Sequence, residues 1–317
     1  MSSASSAPAE APLDPADRAL LRRVRAVLGM YVVGDTDGVL AASTAGCRFS
    51  IPGDPRVLPW AGRYTGAAFA RFHSQIKDHL DLVDYVAPWV ELWGDRGVLL
   101  MRERVRVRST GGAFEQHLLG VFTFTDGQLS AYDEDSDPWT MQAAMRGEDL
   151  RTPTAPPPWI AEAGGWGGVV TRGSAAVRAE GAAEDTAAVA RTAAQAEADA
   201  DRGALAARVD PGLTVWVGGA DPRLPWAGTG AGPGALLALS AARAACWRRE
   251  LIDVQVDAFG GSALLRLRER LQPRAGGPTA EVRRSVLVAV RGGRLARWWE
   301  WADTAALGRA LGDPPAP

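Results

Sequence analysis

The chain has 317 residues, 47% hydrophobic and 23% charged, with a formal net charge of −2. At roughly 100–200 residues per domain this length suggests two domains, each with its own core. The near-neutral balance argues against a nucleic-acid binder, and no apolar run of about 18 residues reads as a membrane-crossing helix.

Residues 1–14 are rich in Ser, Ala and Pro, without a basic stretch leading into an apolar one, and read as a disordered tail and not a secretory leader. Residues 15–146 read as a first domain. Asp14-Pro15 has the form of an N-cap followed by proline at the first helical position. Leu20, Leu21, Val24, Val27, Leu28 and Tyr31 then recur at helical spacing. After Gly34-Asp35 a short helical stretch leads to a strand over 47–51. The loop Leu58-Pro59-Trp60-Ala61-Gly62 follows, then an amphipathic helix carrying Phe69, Phe72, Ile76 and Leu80. Strands are expected over 83–93, 97–108, 115–125 and 128–135, the last two joined at Asp126-Gly127, a strong hairpin signal. Residues 147–183 read as a Pro/Gly-rich linker. Trp159, Ile160 and Trp166 within it suggest docking on a domain or, alternatively, a lid over a pocket. Residues 184–312 read as a second domain, with a helix over 186–200 and strands over 251–259, 263–272, 281–290 and 294–301.

The two domains are copies. Leu58–Gly62 recurs as Leu224-Pro225-Trp226-Ala227-Gly228, 166 positions on. The same offset carries Arg102-Glu103-Arg104 onto Arg268-Glu269-Arg270, Gly127 onto Gly293, and Glu134 and Asp137 onto Glu300 and Asp303. A register held over about 80 residues marks a duplicated domain, the period being too long for a solenoid unit. Of 35 basic residues 34 are arginine, a bias of GC-rich bacterial genomes; a cytoplasmic location is expected.

Strand alternation singles out candidate chemistry. Over 97–108 one face carries Leu99, Met101, Glu103, Val105 and Val107, the other Leu100 and four arginines. The second copy places Glu269 among Leu265, Leu267 and Leu271. A carboxylate on an apolar face must be paired or carry a raised pKa, and a raised pKa suits general acid/base work near neutral pH. The alternative is a structural ion pair with a neighbouring arginine. Glu134 shares a face with Tyr132, and Glu300 with Trp298, so Glu103 and Glu134 are candidates for an acid/base pair facing one pocket. Trp299 and Trp301 replace Asp133 and Asp135 on the opposite face, which implies a buried interface with the other domain or another subunit.

All three histidines fall in the first copy. His73 and His79 flank a helix face, and His117 is either structural or a group orienting a carbonyl. Tyr31, Trp60, Phe72, Trp89, Trp93, Met101 and Phe122 are the expected pocket lining, although Trp60 and Trp226 also suit loop packing. The spacings of His, Cys and acids fit no metal motif, and Cys47 and Cys246 fit no redox motif. With no phosphate loop or dinucleotide fingerprint, neither a metal nor a cofactor is expected.

The order of Gly34-Asp35, the Pro52-Gly53-Asp54-Pro55…LPWAG loop, the Asp-Gly hairpin and a final acidic strand, present twice, resembles the SnoaL-like family of the nuclear transport factor 2-like superfamily. The resemblance covers residues 16–146 and 184–312. It implies an α+β fold: two tandem cone-shaped barrels, each a curved antiparallel sheet wrapped around helices, packed as an intramolecular pseudo-dimer with room for a homodimer. The aspartate base of ketosteroid isomerase-like members has no match at Phe49-Ser50-Ile51-Pro52. Their second acid has none at Leu119-Gly120, and their helix tyrosine falls at Leu28, a turn before Tyr31. The Asp-Arg-Asp arrangement of limonene-epoxide-hydrolase-like members is likewise not evident. The last-strand acid of SnoaL-like cyclases matches Glu134, with Glu300 in the second copy. The implied activity is cofactor-independent acid/base cyclisation, isomerisation or hydration of a small apolar, polyketide-like or polycyclic substrate in bacterial secondary metabolism. Glu103 and Glu134 would transfer protons while His117 or Tyr132 orients the substrate, and the second copy (Glu269, Glu300, Trp298) would be structural. The alternative is a non-catalytic ligand-binding or protein-docking pseudo-dimer.

Overall fold

The computed structural model describes residues 13–149, 157–163, 169–219 and 224–311. The expected tail therefore lies, up to residue 12, outside the described residues, as does Trp166. The Asp14 carboxylate accepts from Asp17 N at 2.8 Å and starts α1 (Pro15–Val33), which Gly34 ends at φ +79°, a left-handed conformation that glycine tolerates without strain. The first copy continues with α2 (Thr36–Ala41), β1 (Ser43–Ile51), β2 (Gly62–Thr65), α3 (Phe69–His79), β3 (Leu80–Trp93), β4 (Arg96–Val107), β5 (Ala113–Thr125), β6 (Gln128–Asp135) and α4 (Pro138–Met145). Within the expected linker lie α5 (Pro158–Glu162), β7 (Val170–Arg172) and α6 (Ser174–Ala179). The second copy is α7 (Ala183–Ala198), α8 (Arg202–Ala206), β8 (Val209–Val217), β9 (Gly228–Ala231), α9 (Pro233–Cys246), β10 (Trp247–Phe259), β11 (Ser262–Pro273), β12 (Ala280–Arg291), β13 (Arg294–Ala302) and α10 (Thr304–Ala310).

The sheets run β2-β1-β6-β5-β4-β3-β7 and β10-β11-β12-β13-β8-β9. The expected α+β class holds, but each sheet is mixed and open, not an antiparallel barrel. β1 pairs parallel with β6, β8 with β13 and β7 with β3. A parallel pair requires a long crossover, which the chain from β2 through β5 supplies. The sequence pattern shows the strands but not this return of the last strand to the first.

Each sheet curls one face over its helices. In the first copy Leu20, Val24 and Val27 of α1 and Phe69 and Phe72 of α3 pack on Leu99, Met101, Val105, Phe114 and Phe122. The other faces meet back to back, Trp89, Leu100 and Leu119 against Trp216, Leu287, Trp299 and Trp301. Trp159 of α5 is fully buried between them, 4.8 Å from the Trp216 ring, 5.0 Å from Trp299 and 5.7 Å from Trp301. α5 and β7 thus belong to the interface and the sheet edge, and neither lies among the residues lining the first copy's cavity; for these two elements the docked reading fits. Across the interface the buried Glu91 accepts from the Trp89 and Trp93 indoles, each at 3.2 Å, and pairs with Arg172 at 2.5 Å and with Arg297 of the second copy at 2.7 Å. Burial alone would raise its pKa, but Arg297 and Arg172 outweigh it and hold the carboxyl at about 2.

Candidate active site

The inner face of β4–β6, with the end of α1 and α3, encloses a cavity of about 300 Å³ in the first copy. Alternation sets Glu103 on this face of β4 and Gln116 directly opposite it on β5; the Gln116 amide donates to Glu103 Oε1 at 2.6 Å. On β6, Glu134 lies opposite Gly120 and accepts from the Tyr132 hydroxyl at 2.9 Å. A Cβ at position 120 would come within 2.6 Å of the Met101 methyl and 3.2 Å of the Tyr132 ring, so glycine is what lets these side chains close behind the carboxyls. Tyr31 and Trp60 also line the cavity, while the exposed Lys77, Asp81 and Arg108 form its rim.

Glu103 and Glu134 sit among apolar and phenolic groups, with no arginine among the described residues in hydrogen-bond contact. Burial pushes Glu103 up to about 7, partly offset by the Gln116 amide. Burial, then the neighbouring Glu103 charge, pushes Glu134 up to about 8 against the lowering effect of the Tyr132 hydroxyl. The same burial, with the carboxylates nearby, raises the phenols of Tyr31, Tyr85 and Tyr132 well above their ordinary value. Two acids at unequal raised pKa values in one cavity suit the roles of base and proton donor near neutral pH.

Of the expected residues, Glu103, Glu134, Tyr31 and Trp60 line the cavity; Tyr132 stands behind Glu134, with Phe72, Met101 and Phe122 in the core beside it. Trp89, Trp93 and His117 are elsewhere. Tyr85 pairs with Glu103, but the register then slips between Val86 and Trp89, around Pro88. That bulge inverts the side-chain parity and sends Trp89 and Trp93 to the domain interface. His117 alternates with Gln116 and so lies on the outer face, edge-on to Trp159 and Trp216, its carbonyl accepting from Trp301 Nε1 at 3.1 Å. Burial, then the Arg102 charge, lowers its imidazole to about 3; it is a neutral interface residue and orients nothing in the cavity.

Gln116 and Tyr85 went unrecognised in the sequence, although the register of a β4–β5 hairpin around Glu103 identifies Gln116. His73 is more than a flanking residue. It stacks on Tyr31 at 5.3 Å, its Nδ1 2.8 Å from the Thr36 hydroxyl and its Nε2 3.2 Å from the Tyr31 carbonyl. The carbonyl can only accept, so Nε2 carries the proton; burial keeps the ring neutral.

In the second copy the same two strand positions have the opposite surroundings. Arg284 binds Glu269 at 2.5 Å and Glu300 at 3.0 Å, Arg243 binds Glu300 at 2.5 Å, and Arg249 binds Glu197 at 2.7 Å and Glu269 at 2.8 Å. Trp298 is fully buried and donates to Glu300 at 3.1 Å. Burial would raise Glu300, but Arg243 and Arg284 lower it. At the 166-residue offset, Glu197 replaces Tyr31, Arg243 replaces Lys77 and Arg284 replaces Leu118. Three carboxylates and three guanidiniums occupy this interior, beside a residual cavity of about 20 Å³. Among the described residues no group of three or more His, Cys, Asp or Glu side chains is placed to hold a metal ion, and no helix is long and apolar enough to cross a membrane.

No family model matches the sequence, and no curated protein matches it. Solved structures similar in fold include an NTF2-like protein from Burkholderia xenovorans LB400 (24% identity, 41% of this chain and 97% of that one, TM-score 0.37). A putative isomerase from Rhodopseudomonas palustris matches at 20% identity over 41% of this chain and 97% of its own, TM-score 0.37. A putative polyketide cyclase from Pseudomonas putida KT2440 matches at 15% identity over 39% and 96%, TM-score 0.34. Each likeness spans about two fifths of this chain and nearly all of the matched one.

Proposed function

We propose that the first copy is a cofactor-independent acid/base enzyme acting on a small apolar carbonyl compound, the class that the SnoaL-like resemblance of the sequence suggests. The observation that carries this reading is the pair of carboxyls facing one cavity of about 300 Å³, raised to about 7 and about 8. Gln116 occupies Glu103 Oε1 and Tyr132 occupies Glu134 Oε2, which leaves Glu103 Oε2 as the base and Glu134 Oε1 as the proton donor. Glu103 takes a proton from the carbon beside the carbonyl while Glu134 gives one to the carbonyl oxygen, forming an enol. Reprotonation at another carbon isomerises the substrate; attack of the enol carbon on a second carbonyl of the same molecule closes a ring. The second copy serves as a structural partner, and there the alternative reading, carboxylates as ion-pair components, applies.

The test is deuterium exchange from solvent into β-tetralone, an enolisable bicyclic ketone, followed by NMR. Glu103→Gln and Glu134→Gln should each slow exchange by about a hundredfold or more, the ordinary worth of a positioned acid or base, without lowering the melting temperature. Unchanged exchange in the double variant would exclude the mechanism.

A further inference from the structure

The interface holds a second concave site, on the outer side of β6, which meets the catalytic cavity only at Glu134. Trp159 rests against His117, Trp216, Trp299 and Trp301. Their counterparts at the 166-residue offset are Arg283, Ser50, Asp133 and Asp135. All four line a cleft of about 550 Å³ between the copies. The duplication thus builds two related seats at the interface, one apolar and filled by the linker's indole, the other polar and open.

The open seat is cationic. Arg48 and Arg63 of the first copy face Arg266, Arg268 and Arg283 of the second; the counterparts of these five are Thr214, Thr229, Leu100, Arg102 and the neutral His117. Apart from Arg268, matched by Arg102, the charge therefore belongs to this side alone and is not inherited from the duplication. Arg268 and Arg283 stand directly opposite each other on β11 and β12, a like-charge pairing that destabilises a sheet unless an anion bridges it. Arg266 is engaged by Asp133 at 3.1 Å, and Arg268 reaches Glu281 at 3.4 Å. Arg48, Arg63 and Arg283 have no carboxylate at ion-pairing distance among the described residues. The remaining acids oppose an anion weakly: burial raises the carboxyls of Glu134 and of the half-buried Asp135, which lies beside Ser285, and Asp253 accepts from Gln255 at the exposed edge.

We propose that this cleft binds a small multivalent anion of phosphate or carboxylate type, held from both copies by Arg63 and Arg283 with Arg48 and Arg268 beside them. Its volume suits a small metabolite, and guanidiniums bind such groups through paired charge-assisted hydrogen bonds.

The experiment is calorimetric titration of the full chain with inorganic pyrophosphate and, separately, with citrate. One saturable site per chain is expected, weakening as salt is added. Arg63→Gln and Arg283→Gln should each weaken it by about tenfold, whereas Arg191→Gln, on the exposed face of α7, should not. Tighter binding of pyrophosphate identifies a phosphate ligand, and of citrate a polycarboxylate. Melting curves establish that the variants fold, and their β-tetralone exchange should equal that of the parent, separating this site from the carboxyl pair. Heats that do not saturate with either anion, or unchanged affinity in folded Arg63→Gln and Arg283→Gln proteins, would overturn the proposal.

Discussion

Replacing Glu134 by Gln should stabilise the protein at alkaline pH and leave it nearly unchanged in acid. Glutamine keeps an oxygen to accept the Tyr132 hydroxyl and removes only the ionisable group. In the parent, the folded state raises Glu134 from the ordinary 4.5 to about 8, mainly by burial. Between those values the folded protein binds more protons than the unfolded chain, so stability falls as pH rises through this window. At about 1.4 kcal/mol per pH unit the cost reaches about 5 kcal/mol once Glu134 is fully ionised, and relaxation or water entry reduces it. Urea unfolding at pH 5, 7 and 9 measures the effect. The advantage of Glu134→Gln over the parent should be negligible below about pH 4.5, where the carboxyl is protonated in both states, and reach a few kcal/mol at pH 9. Comparing variant with parent cancels the titrating groups that do not interact with Glu134; Glu103, freed of its neighbour's charge, adds to the alkaline gain. A difference that does not change with pH, or one larger in acid than in alkali, would refute the inferred burial of an unpaired carboxyl.

Two further outcomes follow from the surroundings of the paired positions. Arg284→Met strands three buried carboxylates with two guanidiniums, so it should cost about 3–5 kcal/mol in urea unfolding while leaving β-tetralone exchange intact in the folded protein. Gln116→Leu removes the hydrogen bond that lowers Glu103; the acid limb of the pH–rate profile should move up by about one unit, and a stationary limb would deny Gln116 that role.

The duplication and the strands were legible in the sequence because both are periodic. The offset repeats at fixed spacing, and period-2 alternation set Glu103 and Glu134 on one face. What alternation cannot show is a change of parity within a strand. Trp89 and Trp93 share the parity of Tyr85, yet a bulge around Pro88 sends them to the other side of the sheet. Proline in mid-strand was the local sign, since it cannot donate to the ladder. His117 failed for a related reason: the pattern distinguished two faces of β5, and only the packing of the second sheet decided which was enclosed. The ion-paired second interior was legible in principle. The offset that matched Glu134 to Glu300 also sets Glu197 on Tyr31 and Arg243 on Lys77, but it pairs unlike residues, and a search for similarity passes over them.

Covalent linkage of the two sheets has a consequence in dilution. A dimer of separate single copies must reassemble against its loss of translational freedom, and its folded fraction falls as protein becomes scarce. Here the partner surface is held at an effective concentration fixed by the linker, and Trp159 of that linker is itself part of the surface. The melting midpoint of this interface should therefore be the same at nanomolar as at micromolar protein.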